Sequence, residues 1–401
     1  MAKHRINPDD CIACTTCVAH CPVTAATRKF RGPKMLGPAL ERFRISEEDY
    51  EPSLEYCSNC KNCDLSCPSG VPVSTLNMLA KAAYYKKNPQ SMRDHMLSHG
   101  ENMAKMVNAI PFGAALANVG MHNPVSRAAM KQIGISDKAP MPTYAATSFV
   151  SWFKSQKQTP SEEKVVFFPG CFINYNQPQV GKDLVAVLQH NGIEVIVPEE
   201  FVCCGSPLVT GGYLDEAESN ARKNAAEIAK WAAKGYKILT ACTSCGLMLN
   251  QEYQELFPAI EGLAQNALSL YDAFEFLAER AAEGKLKTDF APVQEHFMYH
   301  VPCHLRVQGI GLPALTLLRQ IPGLSIEEAD AGCCGISGNY GFRDEKYEIS
   351  MAVGAELFQR IKDSGVKTVV CDCGTCRLQI GHGSGAATAH PVSILRKAYQ
   401  L

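Results

Sequence analysis

From residue 164 onward, short apolar runs alternate with longer amphipathic stretches, and the alternation occurs twice. The first round places apolar runs at Lys164-Val-Val-Phe-Phe168, Glu194-Val-Ile-Val197 and Lys237-Ile-Leu-Thr240. The second repeats them at His296-Phe-Met-Tyr299 and Lys367-Thr-Val-Val370. Short runs rich in β-branched and aromatic residues read as strands. The stretches Asp215 to Ala233 and Lys346 to Ser364 read as the intervening helices. Strands alternating with helices predict βαβ units on a parallel sheet.

The N-terminal part has a different texture. Thr75 to Lys87 reads as a helix with Ser74 as its N-cap. Residues 91–160 alternate amphipathic helical stretches with breaks at Gly113, Pro124, Gly134, Pro140 and Pro142, and end in Trp152-Phe153. This segment is rich in Met and Ala and carries no charge from Met106 to Met121. Two expectations follow: a surface that meets a membrane face, a quinone or a partner, or helices bracing the neighbouring domains. Pro111, Asn108 and Asn118 interrupt the uncharged stretch, which falls short of the ~18 apolar residues of a spanning helix. The pattern divides the chain into a helical module (1–90), a helical linker (91–160) and two α/β repeats (161–290 and 291–401). The expected class is α+β multidomain with parallel sheets in the duplicated part.

Composition narrows the choices. A chain of 401 residues has room for two or three domains with real cores. Lys plus Arg number 39 and Asp plus Glu 40, which gives nucleic acid no electrostatic footing as a partner. Nineteen cysteines in tight groups, behind a polar opening Met1-Ala-Lys-His-Arg5, argue against a secreted disulfide framework and for a reducing, cytoplasmic setting.

The cysteine spacing changes the picture most. Cys11, Cys14, Cys17 and Cys21-Pro22 follow C-x2-C-x2-C-x3-C-P, and so do Cys57, Cys60, Cys63 and Cys67-Pro68. Two such runs are the ligand set of a bacterial-type pair of [4Fe–4S] clusters, in which the fourth cysteine of each run ligates the other cluster. The expected sets are therefore Cys11, Cys14, Cys17 with Cys67, and Cys57, Cys60, Cys63 with Cys21. A structural zinc site is the competing reading, but zinc ribbons use isolated pairs. Residues 22 to 56, with Arg31-Gly-Pro-Lys34 and Gly37-Pro38, read as a loop wrapped over a cluster. Lys34 is a candidate to face the cluster's charge, with a solvated lysine as the plainer alternative.

Each α/β repeat carries five more cysteines. Cys171 is followed at offsets of 32, 33, 71 and 74 by Cys203, Cys204, Cys242 and Cys245. Cys303 is followed at 30, 31, 70 and 73 by Cys333, Cys334, Cys373 and Cys376. Internal duplication is the economical explanation. Every group follows a strand, so a parallel sheet gathers them along one edge beside helix N-termini, which suit an anionic thiolate-rich cluster. Gly205 and Gly335 let the backbone approach closely. Five thiols are too many for one zinc or one cubane. The expectation is a second type of iron–sulfur centre per repeat, with redox-active thiols as the lesser option. Buried structural cysteine would leave the matched spacing unexplained. Cys371 lies outside the pattern as an accessory thiol. His304, beside Cys303, is a candidate ligand or hydrogen-bond donor to a cluster, and His20, beside Cys21, is another; both are equally read as packed or solvated.

No P-loop is present, and Gly335, Gly338 and Gly341 have the wrong spacing for a dinucleotide fingerprint. The chain thus offers centres for single electrons and no residues for hydride transfer from an organic substrate.

With both motif sets in view, the chain resembles the iron–sulfur proteins that fuse a two-cubane ferredoxin module to two cysteine-rich CCG domains. These include heterodisulfide reductase subunits and the iron–sulfur subunits of glycolate and lactate oxidation. Within that group it is similar to the iron–sulfur C subunits of anaerobic glycerol-3-phosphate dehydrogenases. Gly32-Pro-Lys34, Gly170-Cys-Phe-Ile-Asn-Tyr-Asn-Gln-Pro178, Cys203-Cys-Gly-Ser-Pro207, Cys333-Cys-Gly-Ile-Ser-Gly-Asn-Tyr-Gly-Phe342 and Asp372-Cys-Gly-Thr-Cys376 carry the resemblance. It implies a non-catalytic electron-transfer subunit, peripheral on the cytoplasmic face of the inner membrane. Flavoprotein subunits A and B would be its electron donors and a membrane quinone its acceptor. It also implies non-cubane clusters in the CCG domains, as in heterodisulfide reductase relatives. A rival reading makes the chain itself a disulfide-reducing catalyst, and a third makes it a cytosolic metal-binding scaffold.

Overall fold

Two four-stranded sheets of identical topology organise the chain from residue 164 onward. The structure, a computed structural model, describes residues 6–43 and 50–401; the polar opening and residues 44–49 of the expected linker loop lie outside it. The first sheet contains β1 (Lys164–Phe168), β2 (Glu194–Ile196), β3 (Lys237–Thr240) and β4 (Leu270–Asp272). The second contains β5 (His296–Tyr299), β6 (Ser325–Glu328), β7 (Thr368–Val370) and β8 (Ala387–Ala389). Their orders are β2-β1-β3-β4 and β6-β5-β7-β8, and every pairing is parallel. The fourth strands were not legible as apolar runs. Each is three residues long at an edge, where one paired neighbour suffices.

Helices close each crossover. Pro178–His190 joins β1 to β2, and Leu214–Ala232 joins β2 to β3. The second repeat uses Pro313–Leu318 and Asp344–Ser364 in the same places. Side chains alternate across each strand as the pleat demands. Val165 and Phe167 face one layer, Val166 and Phe168 the other. The layer containing Phe167 and Leu239 also contains Phe297, Tyr299 and Val370 of the second sheet, so both repeats share one apolar core. On their outer faces, Ala217, Ala221 and Ile228 cover the first sheet, and Leu357 and Ile361 the second. Across the seam, Arg396 pairs with buried Asp183 at 2.9 Å.

The N-terminal module is built from short helical turns around Val73–Lys87. Ser74 is not its N-cap. It sits inside the first turn, where its backbone N–H and its hydroxyl donate to the Asp64 carboxylate at 2.7 and 2.5 Å. Asp64 thereby satisfies one of the orphan donors that every helix start presents. The expected linker loop is likewise more ordered, with helical turns at Pro22–Ala26, Met35–Ala39 and Pro52–Tyr56.

Residues 91–160 form helices Met92–Ser98, Gly100–Ala109, Gly113–His122, Pro124–Gln132 and Phe149–Lys154. Phe149 is buried in the shared core, and Ile135 bridges to Arg343. The helical hairpin of 100–122 instead turns apolar side chains outward: Met106, Ile110, Phe112, Leu116 and Val119 are all exposed, Phe112 to 85%. Among the described residues no helix is long and apolar enough to cross a membrane.

Candidate metal centres

The two ferredoxin-like runs fold with the same unusual backbone. Ala13 and Thr15 have φ of 59° and 67°, and Asn59 and Lys61, at the matching positions, 52° and 63°. Non-glycine residues rarely enter this left-handed region, and when they cluster they mark a site the surroundings hold in place. Alternating hand turns successive N–H groups inward, a concavity suited to an anion. Cys11, Cys14, Cys17 and Cys67 line one small cavity together with Lys34. Cys21, Cys57, Cys60 and Cys63 line another. The chain thus brings together three cysteines of one run and the fourth of the other, twice.

These cavities differ in exposure. Cys14 is exposed, whereas Cys60 and Cys63 are buried. Lys34 reaches the first loop and donates to the Ala13 carbonyl at 3.1 Å. His20 is exposed on the surface. The second loop is pinned from within: Lys61, 3% exposed, lies 3.1 Å from Glu252 and donates to Thr75 Oγ1 at 2.9 Å. Burial disfavours the Lys61 charge, but Glu252, Asp64 and Glu255 outweigh it and hold the ammonium protonated.

In the first α/β repeat, Cys171, Cys203, Cys204, Cys242 and Cys245 converge beyond the strand ends. The Cys171 and Cys203 sulfurs are 3.7 Å apart. Gly170, at φ 63°, gives room, because a Cβ there would lie 2.7 Å from the Cys245 sulfur. Glu101, from the exposed hairpin, accepts the Cys203 N–H at 2.9 Å. In the second repeat, Cys303 and Cys333 are 4.0 Å apart, and Cys334 and Cys376 3.2 Å. None of these separations is a disulfide, which needs about 2.05 Å.

The thiols polarise alike in both repeats. Hydrogen bonds from Cys171 and Cys204 push Cys203 well below the ordinary thiol range, and Cys303 and Cys334 do the same to Cys333. Cys242 is lowered by Cys245, and Cys373 is lowered to about 5 by Cys376. Their partners, Cys171, Cys245, Cys303 and Cys376 among them, are pushed well above it. Five soft donors crowded in a buried pocket cannot all ionise without a cation between them, and soft thiolate sets select iron–sulfur clusters, zinc or copper(I). The residues therefore fit a thiolate-bound cluster.

The four cysteine groups form a series. Burial and then Cys333 raise the Cys60 thiol, so the second ferredoxin-like site lies within electrostatic reach of the second repeat's site. Cys373 acts in the same way on Cys242, linking the two repeats' sites. His304 stands at this junction rather than in either cysteine set: its ring bridges Ser244 Oγ at 2.9 Å and the Asn59 carbonyl at 3.2 Å. Lys61, Glu252 and Glu101 escaped sequence reading, since their partners lie far away in the chain. Cys371 is fully buried in the second site. His300, three positions before Cys303, is also buried, and burial lowers its pKa to about 4. Placing the two repeats side by side would have singled it out.

Fold and sites together define a multicentre iron–sulfur protein with a ferredoxin-like module and duplicated cysteine-rich domains. The 4Fe-4S dicluster domain family matches residues 8–71, and the CCG cysteine-rich domain family matches residues 165–250 and 297–381. The chain is 36% identical over 394 residues to the C subunit of anaerobic glycerol-3-phosphate dehydrogenase from Escherichia coli K12, covering 97% of this chain and 98% of that protein. It belongs to the family of that iron–sulfur subunit. It is also 30% identical to the B subunit of the fumarate reductase (CoM/CoB) from Methanothermobacter marburgensis, over 94% of this chain and 70% of that one. Lactate utilization protein A 2 of Bacillus cereus is 29% identical over 48% of this chain and 86% of its own length.

Proposed function

We propose that this protein is the electron-transfer subunit of a membrane-associated anaerobic glycerol-3-phosphate dehydrogenase complex. Flavoprotein subunits A and B supply electrons and a membrane quinone accepts them. Two [4Fe–4S] clusters are held by Cys11, Cys14, Cys17 and Cys67, and by Cys57, Cys60, Cys63 and Cys21. A non-cubane cluster in each repeat is held by its five matched cysteines. When bound, such clusters take up and release single electrons at potentials set by charge, hydrogen bonding and exposure.

The observation that carries this reading is the serial arrangement of the four cysteine groups, from exposed Cys14 through Cys60 and Cys333 to Cys242. A catalyst needs one open site; a relay needs neighbouring closed ones. The exposed Cys14 end suits a docked flavoprotein. At the opposite end, Glu101 ties the first repeat's site to the hairpin of 100–122, whose outward Phe112 and Leu116 suit the acyl boundary of a lipid leaflet. The domain limits 1–90, 91–160, 161–290 and 291–401 belong to the same proposal. A cavity at the foot of the hairpin, lined by Met121, Pro124, Arg127, Gln177, Arg377 and His382, among others, offers a quinone both apolar walls and hydrogen-bond donors. No cysteine lines it, so a disulfide substrate there would meet no thiolate to attack it.

The test is reconstitution under anaerobic conditions with the flavoprotein subunits, lipid vesicles and a quinone. Glycerol 3-phosphate is expected to reduce the quinone. Replacing Phe112 and Leu116 together by Asp is expected to lower vesicle binding at least tenfold while reduction of a soluble dye continues. Full vesicle binding by the double variant, or quinone reduction by the flavoprotein alone at the same rate, sinks the reading.

A further inference from the structure

The two repeats share topology and cysteine spacing, so a position where they differ beside the cysteines is informative. The strand register aligns them residue by residue. In the first sheet Phe167 pairs with Leu239 and Phe168 with Thr240. In the second, Tyr299 pairs with Val370, and the next residues are His300 and Cys371. His300 continues that ladder, its N–H donating to the Val370 carbonyl at 2.9 Å. Hence His300 stands where the first repeat has Phe168, and Cys371 where it has Thr240. One repeat has a phenyl ring and a hydroxyl at this rung; the other has an imidazole and a thiol.

Both replacements are metal-binding groups, and they meet a third. A ring nitrogen of His300 and the sulfurs of Cys371 and Cys376 all lie within 4.8 Å of one another. Ligands about 2.3 Å from one tetrahedral ion sit about 3.7 Å apart, so a modest contraction brings these three onto one metal. No hydrogen bond compensates the burial of the histidine ring. His300 is 1% exposed, and neither ring nitrogen has a hydrogen-bond partner. Leaving a polar group unsatisfied inside a protein is costly, and native structures rarely carry it without a function. The neighbouring histidines differ: both ring nitrogens of His304 and of His390 are engaged.

We propose that His300 and Cys371 are additional iron ligands of the second repeat's cluster, giving that centre a nitrogen donor that the first repeat's centre lacks. The inference rests on the reading that this repeat holds an iron–sulfur cluster. Cys376 is the shared ligand, since it also touches Cys334 at 3.2 Å. On binding, Cys371 releases its thiol proton to solvent, while neutral imidazole binds with no proton change. A cluster's potential follows its ligands, its net charge and the hydrogen bonds to it, so an added imidazole and an added thiolate set this centre apart from the first repeat's. Two repeats of one fold would then hold centres of different potential.

The test uses the full chain, purified anaerobically, with iron counts and pulsed EPR of protein grown on ordinary and on 15N-labelled histidine. The expected result is iron well above the about eight of two cubanes, and one paramagnetic centre with a nitrogen coupling of directly bound strength that changes with the label. His300→Phe, which restores the first repeat's residue, is expected to abolish that coupling and leave the cubane signals in place. Iron above eight without a label-sensitive coupling, or a coupling that survives His300→Phe, overturns the histidine ligation and leaves the cluster reading standing. Iron of only about eight overturns both. The labelling measurement on the unmodified protein decides the matter even if the variant fails to fold.

Discussion

The Nε2 of His304 sits 3.2 Å from the backbone carbonyl of Asn59, a residue 245 positions earlier in the chain. A carbonyl only accepts, so Nε2 carries the proton and Nδ1 is free to accept from the Ser244 hydroxyl at 2.9 Å. One side chain thus fastens the left-handed loop of the second ferredoxin-like site to both α/β repeats. His304→Phe keeps the packing and removes both bonds. It is expected to cost about 1–3 kcal/mol in denaturant unfolding, with iron content unchanged. Loss of iron with unchanged stability would contradict a fastening role.

Lys61 is a buried cation with Glu252, itself buried, 3.1 Å away. Breaking a buried pair from one side leaves an uncompensated charge, at a cost of about 3–5 kcal/mol. Lys61→Met is therefore expected to destabilise the protein by that amount. Adding Glu252→Gln should return much of the loss, as a double-mutant cycle by chemical denaturation would measure.

The paired-cysteine glycines are unequal despite their matching φ of 91° at Gly205 and 90° at Gly335. A Cβ on Gly335 would lie 1.9 Å from the Ser350 carbonyl oxygen, whereas one on Gly205 meets nothing nearer than 3.4 Å. Gly205→Ala should cost about 1–2 kcal/mol, the strain of the left-handed backbone alone. Gly335→Ala adds a backbone collision and should lower the melting temperature at least twice as far.

Lys346 is buried beside Glu55, whose carboxylate accepts its N–H at 3.5 Å. Burial, followed by repulsion from Lys81 and Arg343, lowers its pKa from 10.5 to about 7. Burial pushes Glu55 the other way, but Lys81 and Lys346, helped by the Tyr85 and Tyr50 hydroxyls, hold it at about 2. As pH falls from about 10.5 to about 7, the unfolded chain takes up the lysine proton before the folded one, so stability declines across that window. The Glu55 contribution is constant there and is lost only as pH falls from about 4.5 toward about 2. Lys346→Met should flatten the alkaline slope in unfolding curves taken between pH 7 and 10, and should also shrink the acid limb, since Lys346 is one of the two cations that hold Glu55 down.

Cys14→Ser and Cys60→Ser should each remove about four irons. In the assembled complex each should stop quinone reduction while the flavin is still reduced by substrate, which stopped-flow absorbance would resolve. Loss of flavin reduction as well would contradict a downstream relay.

Much of this was legible in the sequence because cysteine spacing is local and duplicated. The four cysteine groups, the parallel sheets and the helices beginning near Asp215 and Lys346 follow from short-range pattern. What escaped depends on distance. Ser74 looked like a cap because a serine preceded an apolar run, but Asp64 captured it. The edge strands β4 and β8 are too short and too polar to stand out. Lys61 looked like any lysine between two cysteines until Glu252 was found beside it. The exposed hairpin resisted reading for a different reason: apolar stretches of Met and Ala look the same whether they face a core or the outside.

The apolar layer common to both repeats has a mechanical consequence. Phe167 and Tyr299 lie in one continuous interior, so neither repeat has a finished inner wall of its own. A chain severed between them would yield two sticky fragments rather than two working domains. The duplicated halves are thus expected to melt in a single cooperative step, holding their two cysteine sets at fixed spacing until the whole interior gives way.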